Sequence, residues 1–130
     1  MQKVIQLLIE LATENKEVVA LWLYGSRANG SYHSASDYDL AVLFNNRLDD
    51  PLDRRLRPEL LSLDWTKRMN MAEASISIVD IQTVPAPLAM NAISGQLLYC
   101  ESHDARLMAE SIIMSKIELD YHHHFKHFRA

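Results

Sequence analysis

The sequence predicts a single-domain α/β (α+β) fold, a small mixed β-sheet flanked by helices. Three observations predict it. Amphipathic stretches alternate with β-type stretches from end to end, which argues for a layered α/β domain. Residues 18–24 form a continuous apolar run that ends at Gly25, as a central strand buried on both faces would. With 130 residues, 48% hydrophobic and 23% charged, the chain is long enough for one core and ordinary enough in composition to exclude disorder.

The elements follow in order. Residues 3–14 place Val4, Leu7, Leu8, Leu11 and Ala12 on one stripe, the pattern of an amphipathic helix. The strand 18–24 comes next. Residues 25–36 are small and polar and suit a turn into a short helix. A second strand spans 38–44. Asp50-Pro51 then signals a helix start, a capping residue before a first-turn proline. That helix runs to about residue 71, and Pro58 is expected to break or restart it. Residues 74–81 (Ala-Ser-Ile-Ser-Ile-Val-Asp-Ile) carry β-branched residues with period 2 and predict a third strand. A short helix over 87–94, stopped by Gly95, a short strand over 97–101 and a long helix over 105–128 complete the series. No repeat or linker interrupts it, so residues 1–130 read as one domain.

Charge and cysteine content narrow the function. Thirteen Lys+Arg against seventeen Asp+Glu give a formal charge of −4. Such a chain is a poor general binder of nucleic acid, whose affinity comes largely from neutralised phosphates, although a single nucleotide in a local pocket remains compatible. The lone Cys100 excludes an internal disulfide and reads as a small buried hydrophobe. The N-terminus lacks the order of a signal peptide, and no apolar run is long enough to span a bilayer, so a cytoplasmic protein without membrane attachment is expected.

One segment concentrates chemistry: Gly25-Ser26-Arg27-Ala28-Asn29-Gly30, followed by Ser36-Asp37-Tyr38-Asp39-Leu40. Gly25 opens a turn after a buried strand, where free amides favour an anion and the missing side chain lets a phosphate approach. Ser26 adds a hydroxyl and Arg27 a charged fork for the same phosphate. Asp37 and Asp39 are two apart, so both side chains leave one face of a strand. Their mutual repulsion is relieved by a cation, and Mg²⁺ suits such a pair because it fills its shell with water and substrate phosphates. A phosphate cradle beside paired carboxylates is what metal-assisted nucleotidyl transfer needs.

These residues carry a resemblance. The run GSRANGSYHSASDYDL resembles the GS-x10-D-x-D signature of the DNA polymerase β-like nucleotidyltransferase superfamily. It is most similar to the minimal nucleotidyltransferase (MNT) antitoxins of the MntA type from HEPN/MNT toxin–antitoxin systems. Gly25, Ser26, Ala28, Gly30, Ser36, Asp37, Asp39 and Leu40 match that pattern, while residues 76–88 and 95–99 look like its later strand blocks. The resemblance implies a nucleotidyltransferase fold with ATP as substrate, its triphosphate on the Gly25–Ser26 turn and Mg²⁺ on Asp37 and Asp39. It implies a HEPN-family ribonuclease toxin as partner in a hetero-oligomer, silenced when AMP is transferred to a toxin tyrosine hydroxyl and pyrophosphate is released. Active members also carry a third carboxylate on the third strand, often as the general base. Here Ser77 occupies its expected place. The candidates are Asp80, if a bulge shifts the register, or Glu73 just before the strand, or none. The last option points to the alternative function, an antitoxin that acts by stoichiometric binding with weak or no catalysis.

Other features have plainer readings. Arg54, Arg55, Arg57, Lys67 and Arg68 read as a solvated helix face, with partner docking as the alternative. Trp65, Met69 and Met71 read as core, with an apolar patch for a partner as the alternative. In the cluster His122, His123, His124 and His127, the pair His123 and His127 has metal-binding spacing but no evident third ligand.

Overall fold

The computed structural model describes residues 1–129, with side chains described through His123. Nine principal elements run α1 (Gln2–Glu14), β1 (Val18–Tyr24), α2 (Ser26–Asn29), β2 (Tyr38–Phe44), α3 (Pro51–Arg68), β3 (Ile76–Asp80), α4 (Ala86–Ile93), β4 (Gln96–Cys100) and α5 (His103–Arg129), with a short 3₁₀ turn at Glu73–Ser75. The sheet order is β3-β2-β1-β4. β1 is antiparallel to both β2 and β4, while β2 and β3 are parallel, so the sheet is mixed as expected.

The apolar runs of β1 and β2 are explained by their central place. β1 is buried at every position, and β2 at every position except Asp39, which is half-buried. Alternation divides the side chains between two layers. Leu21, Leu23, Leu40, Val42, Ile76 and Ile78 face α1 and α3, where Leu8, Ala12, Leu61 and Trp65 meet them. Ala20, Trp22, Ala41 and Leu43 face α4 and α5, where Ala89, Ala92, Ala109 and Ile113 close the second core. Met69 and Met71 pack on the first cluster, and half-buried Cys100 borders the second.

Asp50 starts α3 as expected: its Oδ1 accepts from the amides of Leu52 (2.7 Å) and Asp53 (3.1 Å). Two expectations are corrected. Pro58 does not interrupt α3, which runs unbroken through it. One missing amide bond is outweighed by anchorage downstream, where Leu61 and Trp65 are buried and Ser62 Oγ donates to the Ile76 carbonyl at 2.7 Å. The third strand starts at Ile76 rather than at residue 74, because Ser75 instead closes the 3₁₀ turn by donating through N and Oγ to the Ala72 carbonyl. Among the described residues no helix is long and apolar enough to cross a membrane.

Candidate functional site

The site forms where β1 ends, α2 begins and β2 begins. Tyr24, the last residue of β1, pairs with Asp39, so the strand register carries Gly25 to the aspartate. Gly25 has φ +71° and ψ −154°, a conformation essentially closed to other residues. A Cβ there would collide with Oδ2 of Asp39. The turn and the carboxylate are therefore in van der Waals contact only because residue 25 is glycine. Ser26 opens α2; the Ala28 and Asn29 amides donate to the Gly25 carbonyl, and the amides of Ser26 and Arg27 precede the first intrahelical bond, beside the acid.

Asp39 shares its face with Ala41 and Leu43, the α4/α5 side of the sheet. Asp37 stands just ahead of β2 and is exposed. Burial pushes the Asp39 carboxyl above its ordinary range, and the charge of nearby Asp37 pushes it further. The Tyr24 hydroxyl is likewise held high, first by burial and then by Asp39. Two carboxylates thus crowd one rim and form no ion pair among the described residues, a donor set that fits a divalent ion able to take its remaining ligands from water and phosphate.

Arg27, expected at the phosphate, is turned into its own loop. It is 9% exposed, its Nε and Nη2 donate to the Ser36 carbonyl (3.3 and 2.9 Å), and Nη2 also reaches the Ser34 carbonyl at 3.4 Å. The guanidinium lies over the rings of Tyr38 (4.3 Å) and Tyr32 (4.8 Å). Its Nε and Nη2 and its ring contacts all go to residues 32–38, so it fixes the loop that delivers Asp37.

Neither third-carboxylate candidate joins the pair. β2 and β3 pair without a shift from Tyr38↔Ile76 to Val42↔Asp80, which leaves no bulge. Ser77 sits directly beside Asp39, whereas Asp80 is three residues further on and of opposite parity, about 10 Å along the strand. The Asp80 carboxyl is buried and accepts from the Gln82 amide at 2.9 Å. Glu73 lies in the exposed 3₁₀ turn at the Asp37 end of the sheet. Among the described residues no group of three potential ligands forms, there or at the histidine cluster, whose His124 and His127 side chains lie outside the described residues.

The structure adds residues that sequence reasoning missed. An open cavity of about 630 Å³ extends from the Gly25 turn, lined by Tyr24, Gly25 and Asn29 on one side and by Asn91, Ser94 and Gln96 on the other. Gly95 makes this wall possible, since a Cβ there would strike the Leu23 carbonyl. The signal in the sequence was the run of polar side chains around a glycine between α4 and β4.

A glycine bend thus lies against an acidic pair at one end of the sheet, beside an open cavity of about 630 Å³. The family model described as "Polymerase beta, Nucleotidyltransferase" matches residues 6–104, and the chain belongs to that family. Similar solved structures span its whole length. A toxin–antitoxin crystal structure with AMP-PNP has TM-score 0.65 at 22% identity, covering 97% of this chain and 98% of that one. A toxin–antitoxin MntA–HepT structure has TM-score 0.65 at 19% identity with full coverage of both chains. A third describes a tri-AMPylated Shewanella oneidensis HEPN toxin in complex with its MNT antitoxin (TM-score 0.62, 19% identity, 99% and 98% covered). No curated protein matches the sequence.

Proposed function

We propose that this chain is an antitoxin that silences a HEPN-family ribonuclease toxin by transferring AMP from ATP to a toxin tyrosine hydroxyl. The observation that carries the reading is the contact between the Gly25 bend and Asp39, with the charge of Asp37 nearby, where Gly25 also lines the open cavity. Family membership supports nucleotidyl transfer. Fold neighbours described as an AMP-PNP complex and an AMPylated HEPN toxin support the nucleotide and the partner. Several large apolar side chains on α5 stand exposed, Met108 at 70% and Leu119 at 68%, which suits a protein that works in a complex.

In this reading the cavity takes the nucleoside, and the Ser26 hydroxyl and the bend amides hold the triphosphate. Asp37 and Asp39 would hold Mg²⁺, which supplies charge stabilisation for the entering and leaving oxygens of an in-line displacement. The phenolic oxygen bonds to the α-phosphorus as the bond to the bridging oxygen breaks, and pyrophosphate leaves with the electron pair. The phenolic proton is lost to water, because Ser77 offers no base beside Asp39.

That last point favours a second reading, inhibition by stoichiometric binding with slow transfer. Incubation with Mg²⁺, ATP and the toxin encoded beside this chain, followed by intact mass measurement, separates the two. AMP additions to the toxin that fall at least about a hundredfold in Asp37→Ala/Asp39→Ala establish the enzyme. A toxin that is inhibited but never modified establishes the binder.

A further inference from the structure

The opposite end of the sheet holds a cavity that nucleotidyl transfer does not use. It encloses about 530 Å³ among the 46–54 segment, the turn after β3 and the middle of α5. Arg47, Arg54, Arg57 and Lys116 line it against one acid, Asp80. That local excess of cations stands in a chain whose net charge is −4.

Two of the cations are held in place. Arg54 Nη1 donates to the carbonyls of Leu48 (2.7 Å) and Asp49 (3.0 Å). Arg57 bonds both oxygens of Asn46, lies over the Phe44 ring at 4.0 Å and pairs with Glu17 at 3.2 Å. Arg57 is shared between Glu17 and the Asp80 it faces across the cavity, so Arg47, Arg54 and Lys116 are the cations left for a ligand. Arg47 and Lys116 are exposed and form no ion pair among the described residues.

The remainder of the lining is a surface for an organic body. Ile81 and Ile113 are buried beneath it, and Ile112 stands half-exposed at its edge. Asp80, 7% exposed, has one oxygen on the Gln82 amide and is among the residues that line the cavity. A buried acid next to an apolar wall selects a ligand that brings an N–H or O–H donor.

We propose that this cavity binds a phosphomonoester with a nucleoside-sized organic part. Arg47, Lys116 and Arg54 receive the phosphate, the isoleucines receive the body, and Asp80 orients it through a donor group. This assignment stands independently of the AMP-transfer reading.

Calorimetric titration of the whole chain in EDTA tests it, with AMP, adenosine and inorganic phosphate as probes. With EDTA leaving the Asp37/Asp39 rim without a cation and so repelling phosphate, AMP should bind this cavity with a Kd on the order of 1 mM or tighter. Adenosine and inorganic phosphate should each bind at least about tenfold more weakly. Arg47→Glu/Lys116→Glu should weaken AMP by about tenfold or more, and Arg47→Ala/Lys116→Ala serves if the reversal perturbs the circular dichroism spectrum. Asp37→Asn/Asp39→Asn should leave the affinity unchanged. No AMP binding, equal affinity for inorganic phosphate, indifference to the Arg47/Lys116 changes, or loss on the Asp37/Asp39 change each overturns the proposal.

Discussion

Ser77 and Asp80 lie three residues apart on one strand, and the difference in their surroundings governs what each can do. Ser77 is exposed and paired with Asp39, roughly 4.8 Å away in the neighbouring strand and on the same face. Ser77→Asp therefore adds a third carboxylate to the rim. Without metal the variant should lose about 0.5–1 kcal/mol of stability to repulsion. With Mg²⁺ the loss should reverse, metal affinity should tighten by about tenfold, and transfer should accelerate. Denaturation with and without Mg²⁺, beside a metal titration, measures all three; an unchanged metal affinity would separate Ser77 from the site.

Asp80 is buried, and its carboxyl is raised from 3.8 by desolvation, against the smaller opposing pulls of the Gln82 amide and Arg57. The folded state holds this proton more tightly than the unfolded chain does. Its contribution is therefore fully present below pH 3.8 and is lost as pH rises through the folded value. Asp80→Asn keeps an acceptor for the Gln82 amide and removes the titration. Its stability relative to the parent should rise as pH climbs above about 4 and level off once the folded Asp80 carboxyl is ionised, as read by urea denaturation. A flat difference across that range would show that Asp80 is solvated in solution.

Within the elements, Arg27 joins α2 to β2. Arg27→Lys keeps the charge but loses the planar fork that serves two carbonyls and the stacking on Tyr32 and Tyr38. The expected cost is about 1–3 kcal/mol. Faster hydrogen exchange at the amides of His33 and Ser36, which bond within this loop, should accompany slower transfer. Unchanged exchange would deny Arg27 its positioning role. The same residue shows where sequence reading stops. Gly25, Asp37 and Asp39 were legible because their chemistry depends on neighbours in the chain, and β1 and β2 because central burial demands unbroken apolar runs. The destination of the Arg27 fork depends on where the loop of residues 30–37 returns. The distance of Asp80 from Asp39 depends on a parallel register that no local pattern specifies. Pro58 misled for a related reason: its local cost was visible, but the anchorage of Leu61, Ser62 and Trp65 on the sheet was not.

Across the whole molecule, the carboxylate rim and the basic cavity occupy opposite ends of one rigid sheet. β2 links them, since Asp39 lies near its start and Phe44, beneath Arg57, ends it, roughly 17 Å apart along the strand. Sites separated by more than about 10 Å without shared partners perturb stability additively. Asp37→Asn/Asp39→Asn combined with Arg47→Glu/Lys116→Glu should therefore change the unfolding free energy by the sum of the two parts, within about 0.5 kcal/mol at physiological salt. Only the long-range field joins the ends, and the screening length is about 8 Å at that ionic strength against about 30 Å at 0.01 M. Each change removes charge that attracts the opposite end, so at low salt the second change should cost less once the first is present. A departure from additivity that grows as salt is removed fits two independent sites in one electrostatic field. One that persists in high salt would require the packed core of the sheet itself to carry coupling between nucleotide transfer and the far cavity.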